Sequence, residues 1–236
     1  RHTCALIDGG AVQCWGSNGS GQLGDGTADD SPAPVSVTSL AGSALAIAAG
    51  GLHTCALIDG GAVQCWGDNS DGELGDGTTT DRSSPVSVID LAGPVTAIAV
   101  GAAHTCAVIK GGTLQCWGRN SEGRLGDGTT TSRSKPASVI GLGGAISAIT
   151  AEGTHTCALI QDGTVQCWGS NNFGKLGDGT LSGRLTPVSV IGLGGIVIAV
   201  AGGADHTCGL LDTGSLQCWG GNDDGQLGDG SAVSFS

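Results

Sequence analysis

The stretch His53-Thr54-Cys55-Ala56-Leu57-Ile58-Asp59-Gly60-Gly61-Ala62-Val63-Gln64-Cys65-Trp66-Gly67 decides the fold, because its pattern occurs five times with a cysteine near each end. Two arms of strand-like character flank the turn signal Asp59-Gly60-Gly61, which reads as a β-hairpin. A hairpin symmetric about Gly60 sets Leu57 against Val63, Ala56 against Gln64 and Cys55 against Cys65. Opposed Cβ atoms in an antiparallel pair lie about 4.5–5.5 Å apart, so a disulfide closes there without backbone movement. The other copies pair Cys4 with Cys14, Cys106 with Cys116, Cys157 with Cys167 and Cys208 with Cys218, leaving no cysteine over. Zinc spacing of the C-x2-C type is absent, and no local second pair completes a tetrahedral site. The ten cysteines therefore read as a disulfide framework, which implies an oxidising location, extracellular or on the cell surface.

The period is strict. The cysteines, the histidines His2, His53, His104, His155 and His206, and the tryptophans Trp15, Trp66, Trp117, Trp168 and Trp219 all advance by 51 residues without insertion or deletion. A repeat of about 50 residues signals a propeller or solenoid, which buries its core between neighbouring units. Within one period four strands are expected: Ala46–Ala49, His53–Ile58, Ala62–Trp66 and an outer strand Pro85–Val88. Four short antiparallel strands make one blade, and proline at the start of the last suits an edge. The fold expected is all-β, a propeller of four-stranded antiparallel blades. Its repeats are 1–51, 52–102, 103–153, 154–204 and a partial 205–236. Because the first unit lacks an inner strand and the last an outer one, the chain is expected to be a fragment of a longer one.

Composition narrows the function. With 46 glycines and no methionine or tyrosine, the chain suits short strands and tight turns. A formal net charge of −12 argues against nucleic acid, which needs a basic face to release counterions. An acidic membrane surface is repelled for the same reason, and no run of about 18 apolar residues could insert.

A loop with the skeleton N-x-x-G-x-L-G-D-G follows each hairpin, as in Asn69-Ser70-Asp71-Gly72-Glu73-Leu74-Gly75-Asp76-Gly77. Together with A-I-A-x-G, H-T-C-A-L, V-Q-C-W-G-x-N and P-V-S-V, it makes the whole chain resemble the regulator of chromosome condensation repeat family. That resemblance implies a β-propeller, usually of seven blades. It also implies roles as exchange factors for a small GTPase, β-lactamase inhibitors, photoreceptors or ligase-associated scaffolds. By its acidity and paired cysteines the chain resembles bacterial secreted or surface versions, and it lacks the tryptophan that the photoreceptors carry shortly before the histidine.

The shared polar residues are read as structural. Equivalent histidines in adjacent blades stand about 10 Å apart, too far to share a zinc at about 2 Å each, and each is expected to hydrogen-bond a neighbouring turn. The aspartates Asp25, Asp76, Asp127, Asp178 and Asp229 fit Asx-turns rather than the spacing of a calcium loop. The tryptophans are expected to pack between blades. No nucleophile elbow, zinc-protease helix or phosphate cradle occurs, so no catalytic residue, cofactor or metal is assigned.

Function is sought where repeats differ. One variable column is Gln22, Glu73, Arg124, Lys175 and Gln226; a second is Ser31, Arg82, Arg133 and Arg184; a third is Ser17, Asp68, Arg119, Ser170 and Gly221. The third repeat collects Lys110, Arg119, Arg124, Arg133 and Lys135, candidates for a local basic patch facing an acidic partner. The expectation is a non-enzymatic binding, adhesion or structural module that engages a protein or glycan or assembles with itself as a fibre. The alternatives are a secreted enzyme inhibitor and an exchange-factor-like scaffold.

Overall fold

A computed structural model describes residues 1–234, so the last two residues of the partial repeat 205–236 lie outside the described residues. The chain forms five antiparallel sheets. The first holds β1 (His2–Ile7), β2 (Ala11–Gly16) and β3 (Ser31–Ser36). The second holds β4 (Ala44–Ala49), β5 (His53–Ile58), β6 (Val63–Gly67) and β7 (Arg82–Ser87). Next come β8 (Val95–Val100), β9 (His104–Ile109), β10 (Thr113–Gly118) and β11 (Arg133–Ser138), then β12 (Ile146–Glu152), β13 (His155–Ile160), β14 (Val165–Gly169) and β15 (Arg184–Ser189). The fifth sheet holds β16 (Val197–Gly202), β17 (His206–Leu211) and β18 (Leu216–Gly220). In each four-stranded sheet the strands pair in chain order. The strands β4, β8, β12 and β16 pack against one another and so line a common axis, with β1 against β4 on the first side.

The hairpin register follows the alternation of the sequence: Cys55 pairs with Cys65, Ala56 with Gln64 and Leu57 with Val63. All five cysteine pairs form disulfides with Cα–Cα distances of 4.0–4.1 Å. That spacing places them at the narrow, non-hydrogen-bonded positions of the ladder. Two boundaries differ from the sequence expectation by more than one residue. The inner strand starts at Ala44 and the outer one at Arg82, because a register shift in each pairing (Ala44/Ala46 and Cys65/Gly67) admits extra residues.

The apolar core lies between blades. Leu57, Val63, Cys65 and Leu74 of the second blade pack with Val100, Ala107, Ile109 and Trp117 of the third. Such sharing lets a unit of few aromatics bury its face against the next copy. Four polar ties repeat at the same contacts. His53 Nε2 lies 2.9 Å from Thr105 Oγ1, the Thr105 hydroxyl donates to Glu73 O at 3.0 Å, and Trp117 Nε1 donates to that same carbonyl at 2.8 Å. Gly77 N donates to Ser134 O, bridging a loop to the next outer strand. Because the threonine proton goes to the carbonyl, the histidine Nε2 must carry its own proton and donate. The histidine partner is thus a strand residue of the next blade rather than the turn expected from sequence.

The N-x-x-G-x-L-G-D-G loop holds itself together from inside. Asn69 Oδ1 accepts from Leu74 N at 3.0 Å, and Asn69 Nδ2 donates to Asp76 Oδ1 and to Thr78 O. Asp76 Oδ1 also accepts from Thr78 N and Thr78 Oγ1, the Asx-turn read from the sequence. Gly75, at φ +67°, is obligatory for a second reason: a Cβ there would lie 2.8 Å from Trp117 Nε1.

Candidate binding surface

The start of each second strand, the end of each third strand and the loop that follows come together at one end of the sheets. Asp68 N donates to Leu52 O, Arg119 N to Ala103 O, Ser170 N to Thr154 O and Gly221 N to Asp205 O. These bonds set the third variable column directly outside the residues that ring the axis. Beyond it lie Asp71, Glu122, Phe173 and Asp224, a second set that differs from blade to blade at this end, here the loop face. The hairpin turns, including Asp59-Gly60-Gly61, occupy the opposite end.

The five basic candidates do not gather. Lys110 sits in the hairpin turn, where its N–H donates to Pro94 O, at the far end of β10 from Arg119. Arg124 is only 3% exposed, buried between blades with its guanidinium donating to Gly153 O and to Glu122. Arg133 donates twice to Asp127 Oδ2 at 3.0 and 2.9 Å, and Lys135 Nζ pairs with Asp90 of the preceding blade at 2.9 Å. Arg119, whose Nε donates to Ser121 Oγ, is the member left on the loop face without an ionic partner among the described residues.

The first variable column lies in the interior. Gln22, Glu73, Arg124 and Lys175 are all nearly inaccessible, and each offers its backbone carbonyl to the threonine and tryptophan of the next blade. Only their side chains differ. Gln22 Oε1 accepts from Ser20 N, and Glu73 Oε2 accepts from Asp71 N in the same geometry, leaving Glu73 Oε1 buried without a partner. Burial, with Asp68 and Asp71 adding repulsion, pushes the Glu73 carboxyl up to about 7. Lys175 Nζ instead reaches Asp205 of the next blade at 2.8 Å. The second column is structural too: Arg82, Arg133 and Arg184 each pair with the aspartate six residues earlier.

Burial favours the neutral form of His2, His53, His104 and His155. It lowers His53 and His155 to about 3 and His2 to about 4. Among the described residues no group of three or more His, Cys, Asp or Glu could hold a metal ion. A concavity of about 630 Å³ lies at the turn end against Gly111, Gly112, Gly143 and Ala145. A smaller equivalent against Gly9, Gly10, Gly42 and Ser43 shows that the repeat geometry itself produces it. With no charged lining residue, it offers less for recognition than the loop face, where acidic groups outnumber unpaired basic ones.

Blades of this kind, stapled singly and tied in series, define a β-propeller repeat protein. The chain belongs to the RCC1-like domain family, whose sequence model matches residues 1–236. It is 36% identical over 234 residues to the ultraviolet-B receptor UVR8 of Arabidopsis thaliana, covering 97% of this chain and 53% of that one. It is 33% identical over 237 residues to the human E3 ubiquitin-protein ligase HERC2, covering 98% of this chain and 5% of the relative. The chain thus spans about half of the first relative and a small part of the second. Among solved structures, human WBSCR16 superposes with a TM-score of 0.89 at 27% identity, over 99% of this chain and 63% of that one. Yeast RCC1 (Prp20), solved bound to Kap60, gives 0.86 at 21% identity over 99% and 57% respectively, a likeness of fold. Among the described residues no helix is long and apolar enough to cross a membrane.

Proposed function

We propose that this chain is a non-enzymatic protein-binding propeller that engages its partner through the loop face. The observation that carries the reading is the cluster of variable residues on the loop face. Repeat-invariant residues make the inter-blade ties, whereas Arg119, the partly exposed Asp68 and the loop tips Asp71, Glu122, Phe173 and Asp224 differ from blade to blade and gather at one end. Binding residues on loops held by a rigid scaffold are a general arrangement. The solved complex of yeast RCC1 with Kap60 is a protein complex of the same fold. The acidic surplus favours a basic partner surface.

Five disulfides with no free cysteine favour an oxidising compartment, so the module is read as extracellular or displayed at the cell surface. A complete ring of seven blades, with the remainder supplied beyond this segment, belongs to the same proposal. The test is photo-crosslinking in the full-length protein in its native setting, with a photoreactive residue at Phe173 on the loop face or at Asp59 in a hairpin turn. A defined protein adduct from Phe173 and none from Asp59 is expected. Adducts from Asp59 alone would refute the loop-face reading.

A further inference from the structure

At the centre of the loop face the ends of the inner strands, with Arg1 and His2, line an open mouth of about 360 Å³ beside the axis. Its rim is built from small residues, among them Gly50, Gly101, Ala102, Gly153 and Ala204. Glu152 stands alone among them as a carboxylate. The same position is glycine in the other blades, Gly50, Gly101 and Gly203. Sterics explain the glycines: a Cβ on Gly101 or Gly203 would lie 2.2 Å from the ring of its own blade's histidine. The fourth blade reshapes itself to admit a side chain. Its inner strand continues through Glu152, which pairs with His155, and Gly153 turns the chain at φ +38°.

Nothing in the fold uses the carboxylate gained. Among the described residues Glu152 has neither a hydrogen bond nor an ion pair, it is half-buried, and burial alone pushes its carboxyl above the ordinary value. A partly desolvated carboxylate without a donor is unfavourable unless a cation meets it. Arg1, also at the mouth, forms no ion pair with it, and His2 is neutral. One carboxylate is too little for calcium, which takes 6–8 oxygen ligands. A single elongated cationic group fits both the room and the charge.

We propose that the axial mouth is a receptor for one basic side chain of a partner protein, an arginine or lysine inserted along the axis with Glu152 as its anchor. This rests on the loop-face reading and names the chemistry at its centre. A guanidinium can bind the carboxylate through two parallel hydrogen bonds, whereas an ammonium binds as a point charge.

The experiment titrates the full-length protein with the peptides Gly-Arg-Gly, Gly-Lys-Gly and Gly-Gln-Gly while recording amide NMR shifts. Saturable shifts at Gly50, Gly101 and Gly153 are expected with the basic peptides and not with the glutamine control. Loss of a hydrogen bond between charged groups weakens such binding about tenfold, the effect expected for Glu152→Gln and for Glu152→Gly, which restores the repeat pattern. Asp224→Asn removes a charge from the same face away from the axis and should leave the affinity nearly unchanged. An equal loss with Asp224→Asn, or no loss with Glu152→Gln, overturns the proposal. Shifts confined to the outer loops would sink the axial receptor and keep the loop-face reading, whereas no shifts together with crosslinks from Asp59 alone would sink both.

Discussion

Replacing Glu73 by glutamine should stabilise this protein, and only above mildly acidic pH. Glu73 is 1% exposed, with Oε2 bonded to Asp71 N and Oε1 unpartnered. Gln22 and Gln226 make the same bond to the residue two before them at 2.9 Å, so the fold already accepts the amide in this cradle. The carboxyl titrates at about 7 in the folded chain, against an ordinary value of 4.5. A raised acid binds its proton more tightly in the folded state. Its contribution is therefore fully present below the unfolded value and is lost as pH rises through the folded one. Each pH unit in that window costs about 1.4 kcal/mol, an upper bound of roughly 3 kcal/mol at neutral pH, reduced where water reaches the loop.

The neutral histidines act in the opposite sense. Unfolded imidazoles protonate below their ordinary value of 6.5 while His53 stays neutral to about 3, so stability falls as pH falls through that range. The difference between Glu73→Gln and the parent cancels this common term. Urea unfolding followed by circular dichroism from pH 4.5 to 8 should show a gap near zero at the acid end that widens to about 2–3 kcal/mol by pH 8. At about 2–4 °C per kcal/mol for a chain of this size, the variant should melt roughly 5–10 °C higher at pH 8. A gap independent of pH, or a less stable variant at pH 8, would refute the reasoning.

Other perturbations test the ties between blades. Replacing Cys106 and Cys116 together by serine removes a cross-link of sequence separation 10 and should cost about 2.5–3 kcal/mol, read as a lower urea midpoint. Gly126→Ala combines φ +69° with a Cβ 2.8 Å from Trp168 Nε1, so a loss of about 2–4 kcal/mol is expected by the same assay. Thr105→Val strands His53 Nε2 and removes one donor from Glu73 O, costing about 1–3 kcal/mol. A serine at that site, which keeps the hydroxyl, should recover most of the loss.

The hairpin, its register and the blade period were legible because they depend on residues close in sequence. Alternation about Gly60 fixes which side chains meet, and a strict step of 51 residues leaves stacking of equivalent units as the way to bury their faces. The candidate site was legible only in part. Polar residues that vary from copy to copy read as surface, yet the Gln22, Glu73, Arg124, Lys175 column is buried, because its carbonyl serves the next blade and its side chain fills the seam. The signal available was its place between a glycine and the invariant leucine of each loop, both of which are buried in the middle blades. The basic patch dissolved for a related reason. Arg82, Arg133 and Arg184 each follow an aspartate by six residues, a spacing that closes an ion pair across the loop. Glu152 drew no notice in sequence, since one carboxylate in an acidic chain is unremarkable until its glycine counterparts are seen ringing the axis.

The five disulfides that staple the blades can be measured directly. The protein is isolated from the cells that make it, with thiols trapped by an alkylating agent at lysis, and the tryptic peptides of this region are weighed before and after reduction. The account predicts no alkylated cysteine before reduction and ten afterwards, with Cys55 linked to Cys65 and likewise in every blade. Ten alkylated thiols in the unreduced sample would contradict it, removing the staples and the oxidising compartment together.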